Sequence, residues 1–295
     1  MVQLSFYKDD SRLGIVNVAS VPQRSPFRYP GGKTWLVPRI RQWLAIRGAR
    51  PHVFIEPFTG GGIISLTVAF ESLAERIIMV ELDDQVASVW KTILGGHAKW
   101  LVERLLDFEL TLESVEAELA KRTNGLKEKA FRTILRNRVS HGGILAPGSG
   151  LIKYGEDGKG IKSRWYPHTL AKRILNIEKV KHKITFVEGD GLEVIKKTAN
   201  QLDVVYFIDP PYTAAGKRAG TRLYTHNKLD HEALFRLMRT VNGDFLMTYD
   251  YSEGVLNLAK RHDFDTCTIP MMNTHHAELT ELLISRDLDW VRSTL

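Results

Sequence analysis

With 295 residues, 43% apolar and 25% charged, the chain is long enough for one large buried core, or for a core carrying an insertion. No stretch approaches about 18 consecutive apolar residues, so no membrane span is expected, and residues 1–10 lack the basic-then-apolar order of a secretion signal. The single cysteine, Cys267, excludes an internal disulfide and a cysteine-held metal cluster and makes a reducing, cytoplasmic setting the expectation, while the net charge of +7 is concentrated: residues 121–183 hold 16 Lys/Arg against 4 Asp/Glu, a local +12 that leaves −5 for the rest.

Residues 1–25 show no steady period and are expected to form an entry segment. Phe27-Arg28-Tyr29-Pro30-Gly31-Gly32-Lys33 is a turn signal, and the apolar spacing after it predicts a helix over 34–47. His52-Val53-Phe54-Ile55 predicts a strand ending at Glu56. Phe58-Thr59-Gly60-Gly61-Gly62 then turns the chain into a helix over 63–72. A second strand, Ile77-Ile78-Met79-Val80, ends at Glu81, and 84–94 is helical. Strand, glycine turn, helix, strand is a βαβ unit with a parallel sheet.

From 100 to 138 the pattern is helical and increasingly basic. Leu151-Ile152-Lys153-Tyr154 and Ile161-Lys162-Ser163-Arg164-Trp165 flank a Gly/Asp-rich turn, which predicts a hairpin or an ordered loop. Helix returns over 168–179. Strands follow at 184–187, 204–208 and 245–249, with a helix over 229–241 capped by Asp230, and 281–285 closes the sheet. An α/β core, residues 1–95 and 181–295, is thus interrupted by a mainly helical, basic insertion at 96–180 that contains the hairpin or loop. Its charge is the footprint expected of a contact with a phosphate backbone.

Chemistry concentrates at strand ends. Glu56 with Gly60, Gly61 and Gly62, then Glu81, then Asp209 all stand where an open parallel sheet binds ligands. Glu81 lies 19 residues beyond Gly62, near the spacing at which an acid meets a ribose hydroxyl. The glycine turn lacks the Lys-Ser/Thr of a phosphate loop, and Glu56 would repel a pyrophosphate. A cationic cofactor with a ribose fits better, and S-adenosylmethionine is such a molecule. Asp209-Pro210-Pro211-Tyr212 follows the apolar run Val204-Val205-Tyr206-Phe207-Ile208. A carboxylate, two rigid prolines and an aromatic ring suit the gripping of a flat ring by its amino group and its face, which points to N-methylation of a base.

Other reactive residues read as structural. Cys267 lies in a strand-like run without the Pro-Cys context of cytosine-C5 methylation. His275 and His276 are adjacent, not spaced as metal ligands, and no metal is expected. His141, His226 and His231 read as polar surface or hydrogen-bonding residues.

Four elements in order, Tyr29-Pro30-Gly31-Gly32-Lys33, Glu56-Pro57-Phe58-Thr59-Gly60-Gly61-Gly62, Glu81 and Asp209-Pro210-Pro211-Tyr212, resemble the Dam-type (D12 class) DNA adenine-N6 methyltransferases over most of the chain. The resemblance implies a Rossmann-like S-adenosylmethionine-dependent methyltransferase sheet with residues 96–180 as an inserted target-recognition domain. It implies cofactor contacts from Tyr29, Gly31, Gly32, Lys33, Glu56, Pro57, Phe58, Gly60, Gly62, Glu81, Asp190 and Asp209. It implies catalysis by Asp209, Pro210, Pro211 and Tyr212 on an adenine flipped out of double-stranded DNA. Tyr29 stands where tryptophan is common in the family. Glu81 stands where aspartate is common, and Asp83 is a second candidate for its role. Residues 137–166 fall at the family's DNA-contact region, with Arg136, Arg138, Lys153, Lys162 and Arg164 as phosphate contacts and Tyr154 or Trp165 as the wedge in the stack. The setting implied is a prokaryote or phage, with room for a companion restriction endonuclease. Two other readings stay open: a methyltransferase for another amino group (cytosine N4, RNA adenine or a protein glutamine), and a catalytically silent nucleic-acid-binding module. Glu56 and the missing G-x-G-x-x-G disfavour a nicotinamide oxidoreductase.

Overall fold

The computed structural model describes residues 18–28, 32–122, 125–146, 148–155, 158–211, 229–272 and 278–293. Tyr29, Pro30, Gly31, Tyr212, His226, His275 and His276 lie outside them. Seven strands form one mixed sheet in the order β3-β2-β1-β4-β5-β7-β6. They are β1 (Val53–Glu56), β2 (Arg76–Glu81), β3 (Ile184–Glu188), β4 (Val204–Ile208), β5 (Asp244–Asp250), β6 (Asp265–Met272) and β7 (Glu278–Ser285). The first five run parallel; β7 is antiparallel to both β5 and β6 and lies between them. This is the α/β sheet that the strand pattern predicts, with the Rossmann-like order that the resemblance implies.

The helices are α1 (Val37–Ile46), α2 (Ile63–Glu71), α3 (Asp84–Thr92), α4 (Ala98–Leu106), α5 (Leu112–Ala120), α6 (Leu126–Val139), α7 (Pro167–Val180), α8 (Gly191–Thr198), α9 (His231–Thr240), α10 (Glu253–Arg261) and α11 (Asp289–Arg292). Side chains alternate across the sheet because successive residues of a strand point to opposite faces. Phe54, Val205 and Phe207 enter one apolar layer; Val53, Ile55, Val204, Tyr206 and Ile208 enter the other. β1 and β4 are buried on both faces, which is why they read as unbroken apolar runs.

Leu101 of α4, Phe131 and Ile134 of α6 and Ile174 of α7 are buried in the same layer as Phe54, Met79 and Trp90. The interrupting segment is therefore built onto one face of the sheet. The hairpin alternative within it is not formed. Gly160–Arg164 is a 3-10 turn, and Leu151 bridges Ser140 instead of a second strand. The backbone of the first run is taken up at the end of α6, where the His141 amide donates to the Gly150 carbonyl at 3.1 Å and the Ile152 amide to the Val139 carbonyl at 2.8 Å.

The helices α8, α10 and α11 were not legible in the apolar pattern. α8 and α10 are short and lean on side-chain caps, Asp190 accepting a hydrogen bond from the Leu192 amide and Ser252 accepting one from the Val255 amide. Asp230 caps α9 through the Ala233 amide, as expected. Among the described residues no helix is long and apolar enough to cross a membrane.

Candidate active site

β1 and β2 end in a carboxylate and β4 is followed by one, and the strand order reverses between β1 and β4, so Glu56, Glu81 and Asp209 converge on one crevice. The crevice has a volume of about 240 Å³. Gly32, Lys33, Pro57, Phe58, the three glycines and Asp190 line it with these acids, as do Pro210 and Pro211. Every cofactor or catalytic candidate within the described residues thus reaches one cleft. Cleft-lining residues the sequence did not single out include Gly143, Leu145 and Leu229, and Asp230, read there only as a helix cap, lines it too.

The glycine turn is pinned from three sides. Glu81 Oε2 accepts from the Gly60 amide at 2.8 Å, Trp90 Nε1 donates to the Gly60 carbonyl at 3.0 Å, and Ser25 Oγ donates to the Gly61 carbonyl. Gly62 starts α2 at φ 64, and a Cβ there would come within 2.9 Å of both Met79 and Trp90. Gly62→Ala therefore costs about 1–3 kcal/mol, read as a lowered Tm together with weakened cofactor binding; an unchanged Tm would contradict this packing.

Glycine at the start of α2 has no side chain to cap it. Glu56 does so from β1, its Oε2 accepting the Ser65 amide at 3.0 Å. Glu56 is buried, and burial raises its pKa to about 8 against the pull of Ser65, with Asp209 and Glu81 adding to the rise. Glu81 is half-buried; withdrawal from water raises it to about 7, opposed by the amides of Asp83 and Gly60. Asp83, the second candidate for its role, also lines the cleft, and its Oδ1 caps α3 through the amides of Gln85 and Val86. Asp190 lines the cleft while capping α8. Two carboxyl groups stripped of water and facing one cleft suit a ligand that brings positive charge and hydroxyl donors.

Asp209 is fixed from behind. Lys33 Nζ lies 2.8 Å from Asp209 Oδ1 and 3.2 Å from Glu281 Oε1, and Thr248 Oγ1 donates to the same Asp209 oxygen at 3.0 Å. Lys33 and Glu281 are buried, whereas the Asp209 side chain keeps 22% of its exposure, on the cleft side. Burial pushes the Glu281 carboxyl up, Lys33 draws it down and Asp209 raises it. Next to Thr248, the Tyr249 hydroxyl meets His231 Nδ1 at 2.9 Å, and burial, with Asp209 adding, raises the phenol.

The residues in front of the cleft are tied to α6. Asn137 is fully buried; its Oδ1 accepts the Arg28 amide at 2.8 Å, and its Nδ2 donates to the carbonyls of Arg28 (2.8 Å) and Gly143 (2.7 Å). Gly143, at φ 75, meets Arg28 so closely that a Cβ would lie 2.3 Å from the Arg28 carbonyl oxygen. A polar residue inside the helical stretch 126–139 was the available signal for this clamp.

A family model described as D12 class N6 adenine-specific DNA methyltransferase matches residues 29–266. The chain belongs to this family. A search of curated proteins finds no match. Similar solved structures include the rRNA methyltransferase aviRa from Streptomyces viridochromogenes (13% identity, TM-score 0.40, covering 97% of this chain and 96% of that one). A methyltransferase from Geobacter sulfurreducens is 14% identical, with TM-score 0.40, covering 93% and 98%. Membership of the D12 family makes the chain a methyltransferase and implies S-adenosylmethionine as its cofactor.

The D12 chain distributes its candidate DNA contacts unevenly. Tyr154 is 91% exposed, and Lys153 and Lys162 are at the surface. Trp165 instead packs edge-on to Phe108 (ring centroids 6.2 Å apart) against the apolar layer. Arg138 is buried; its guanidinium donates to the Pro26 carbonyl, and burial, with Arg173 and Arg28 nearby, lowers its pKa to about 9. It holds the entry segment in this structure and does not lie on open surface. Arg164 is half-buried near Arg28. Arg136 faces a second cavity, of about 220 Å³, lined also by Gln85, Lys121, Lys129, Arg132 and Thr133. Glu118 pairs with Lys121 and Arg132, and Asp84 with Lys129; Arg136 has no ion pair among the described residues.

Proposed function

We propose that this methyltransferase acts on the N6 amino group of adenine in a specific double-stranded DNA sequence, with the target base flipped out of the helix. The observation that carries the reading is the placement of Asp209, anchored through one oxygen by Lys33 and Thr248 and opening onto the same cleft as Glu56 and Glu81. The cleft residues fit the cofactor. Glu81 would take its ribose hydroxyls, Glu56 its cationic end, and Asp190 would lie near its adenine. When bound, S-adenosylmethionine supplies an electrophilic methyl group.

The N6 lone pair of adenine is delocalised into the ring and attacks poorly. Asp209 and the Pro210 carbonyl each accept one N6 hydrogen, which draws the nitrogen toward tetrahedral geometry and frees the lone pair. Proline fixes φ and offers no competing N–H, so its carbonyl is aimed. Orientation supplies much of the rate, and no covalent enzyme intermediate is needed. The surplus proton of the methylated nitrogen leaves to Asp209. Tyr212 would stack on the base.

A base inside a duplex is out of reach, and extruding it costs a few kcal/mol, recovered from stacking and phosphate contacts. Lys153, Lys162, Arg164 and the cationic cavity around Arg136 supply the contacts, with Tyr154 as the exposed candidate wedge. Arg136→Gln should weaken DNA binding about equally for all sequences and lower the salt slope by roughly 1, leaving cofactor affinity unchanged. A salt slope identical to wild type would remove Arg136 from the interface. The whole reading is tested by incubating the protein with S-adenosylmethionine and either plasmid DNA or cellular RNA, then mapping methylated bases. N6-methyladenine at one DNA sequence supports it; methylation of RNA alone, or of cytosine, overturns it.

A further inference from the structure

We propose that Glu281 is a positioning residue for methyl transfer: from β7 it fixes the Lys33 ammonium, which in turn sets the rotation of the Asp209 carboxylate. This rests on the reading of Asp209 as the group that grips the target amine. Glu281 begins the run Glu281-Leu282-Leu283-Ile284, whose other members are buried apolar residues. Its own side chain is only 4% exposed, although it carries a charge. A buried ion pair adds little to stability compared with apolar residues of the same volume, so packing alone gives no reason for it here.

The geometry supplies a reason. Lysine ends in a point charge on a flexible four-carbon stem, and one contact with a partly exposed carboxylate would leave it several rotamers. The buried Glu281 oxygen, 3.2 Å from Nζ, removes that freedom and leaves the ammonium directed at Asp209 Oδ1. Thr248 Oγ1 donates to the same Oδ1 from the neighbouring strand, where Asp250 of β5 stands opposite Glu281. Two donors on one oxygen, each held by the sheet, set the plane of the carboxylate. A misplacement of about 1 Å at such a group costs on the order of 100-fold in rate.

The test is Glu281→Gln, which keeps size and removes charge. The expected result is a fall in kcat of roughly 10–100-fold with the KM values for S-adenosylmethionine and DNA unchanged, and a crystal structure in which the Asp209 carboxylate has turned away from Thr248. Against a Lys33→Met background the same change should cost nothing more, because Glu281 acts through Lys33. Wild-type kcat in Glu281→Gln, losses that multiply in the double variant, or an unmoved Asp209 carboxylate would each overturn the proposal. Should Glu281→Gln fail to fold, Lys33→Met and Lys33→Met/Glu281→Met remain: the second leaves no orphaned charge, and a kcat below that of the first overturns the proposal equally. A wild-type protein that methylates no adenine would defeat the functional reading instead, and the crystal structure would still decide the role of Glu281.

Discussion

Asp209→Asn abolishes methyl transfer, with a loss in kcat of at least about 1000-fold, while S-adenosylmethionine binds nearly as well as to wild type. Asparagine matches the carboxylate in shape. It presents an amide that can accept one hydrogen but carries no charge to draw the N6 hydrogens away from the ring. It also removes the charge that Lys33 shares between Asp209 and Glu281. Cofactor binding survives because Glu56 and Glu81 hold their places through the Ser65 and Gly60 amides, neither of which involves Asp209. Single-turnover transfer of labelled methyl separates the two effects, and calorimetry reads cofactor affinity on the same preparation. A kcat within about tenfold of wild type would show that the motif does not grip the amine.

Glu56→Gln is expected to weaken cofactor binding roughly 10–100-fold, the range for losing a charged partner to a cationic ligand. The glutamine oxygen can still accept the Ser65 amide, so the cap on α2 is kept and the effect is electrostatic. The same substitution has a signature in pH. Burial raises the folded-state pKa of Glu56 to about 8, above its ordinary carboxylate value of 4.5. The folded protein therefore binds more protons than the unfolded chain across that window. Its contribution to stability is complete below about pH 4.5 and is lost as pH rises toward and through about 8. Wild-type Tm should fall over that range more steeply than that of Glu56→Gln. A cation entering the cleft favours the ionised form, so binding near neutrality releases a proton, and the binding enthalpy of wild type should depend on the ionisation heat of the buffer. That dependence should shrink in Glu56→Gln. Equal Tm profiles and equal buffer dependence in the two proteins would show that Glu56 does not change its charge on binding.

The strand ends were legible for a physical reason. A strand buried on both faces must be apolar until it leaves the sheet, so an acid closing Val53-Phe54-Ile55 or Ile77-Ile78-Met79-Val80 marks where the chain meets the ligand crevice. Glycines after the first of them mark a backbone that needs φ values closed to other residues, as Gly62 has. The ambiguous stretch was 151–165, where apolar pairs and turn residues suit a hairpin and a loop alike. There the pairing of residues 150–152 with 139–141 at the end of α6 decided, a contact that depends on how the chain folds back on itself.

Local sequence thus determined the α/β sheet, its glycine turn and the three carboxylates at strand ends, because period and strand burial are properties of neighbours along the chain. It could not pair Lys33 with Glu281, which are 248 positions apart. Only the insertion of β7 between β5 and β6 brings that glutamate beside the lysine, and only burial turns two ordinary charged residues into a fixed support for Asp209. Likewise Arg138, which by composition alone suits a nucleic-acid surface, is buried by the packing of α6, and Trp165 is left only partly exposed against the apolar layer. Charge and ring chemistry are written in the residue; whether they face solvent, cleft or core is set by the layers around them.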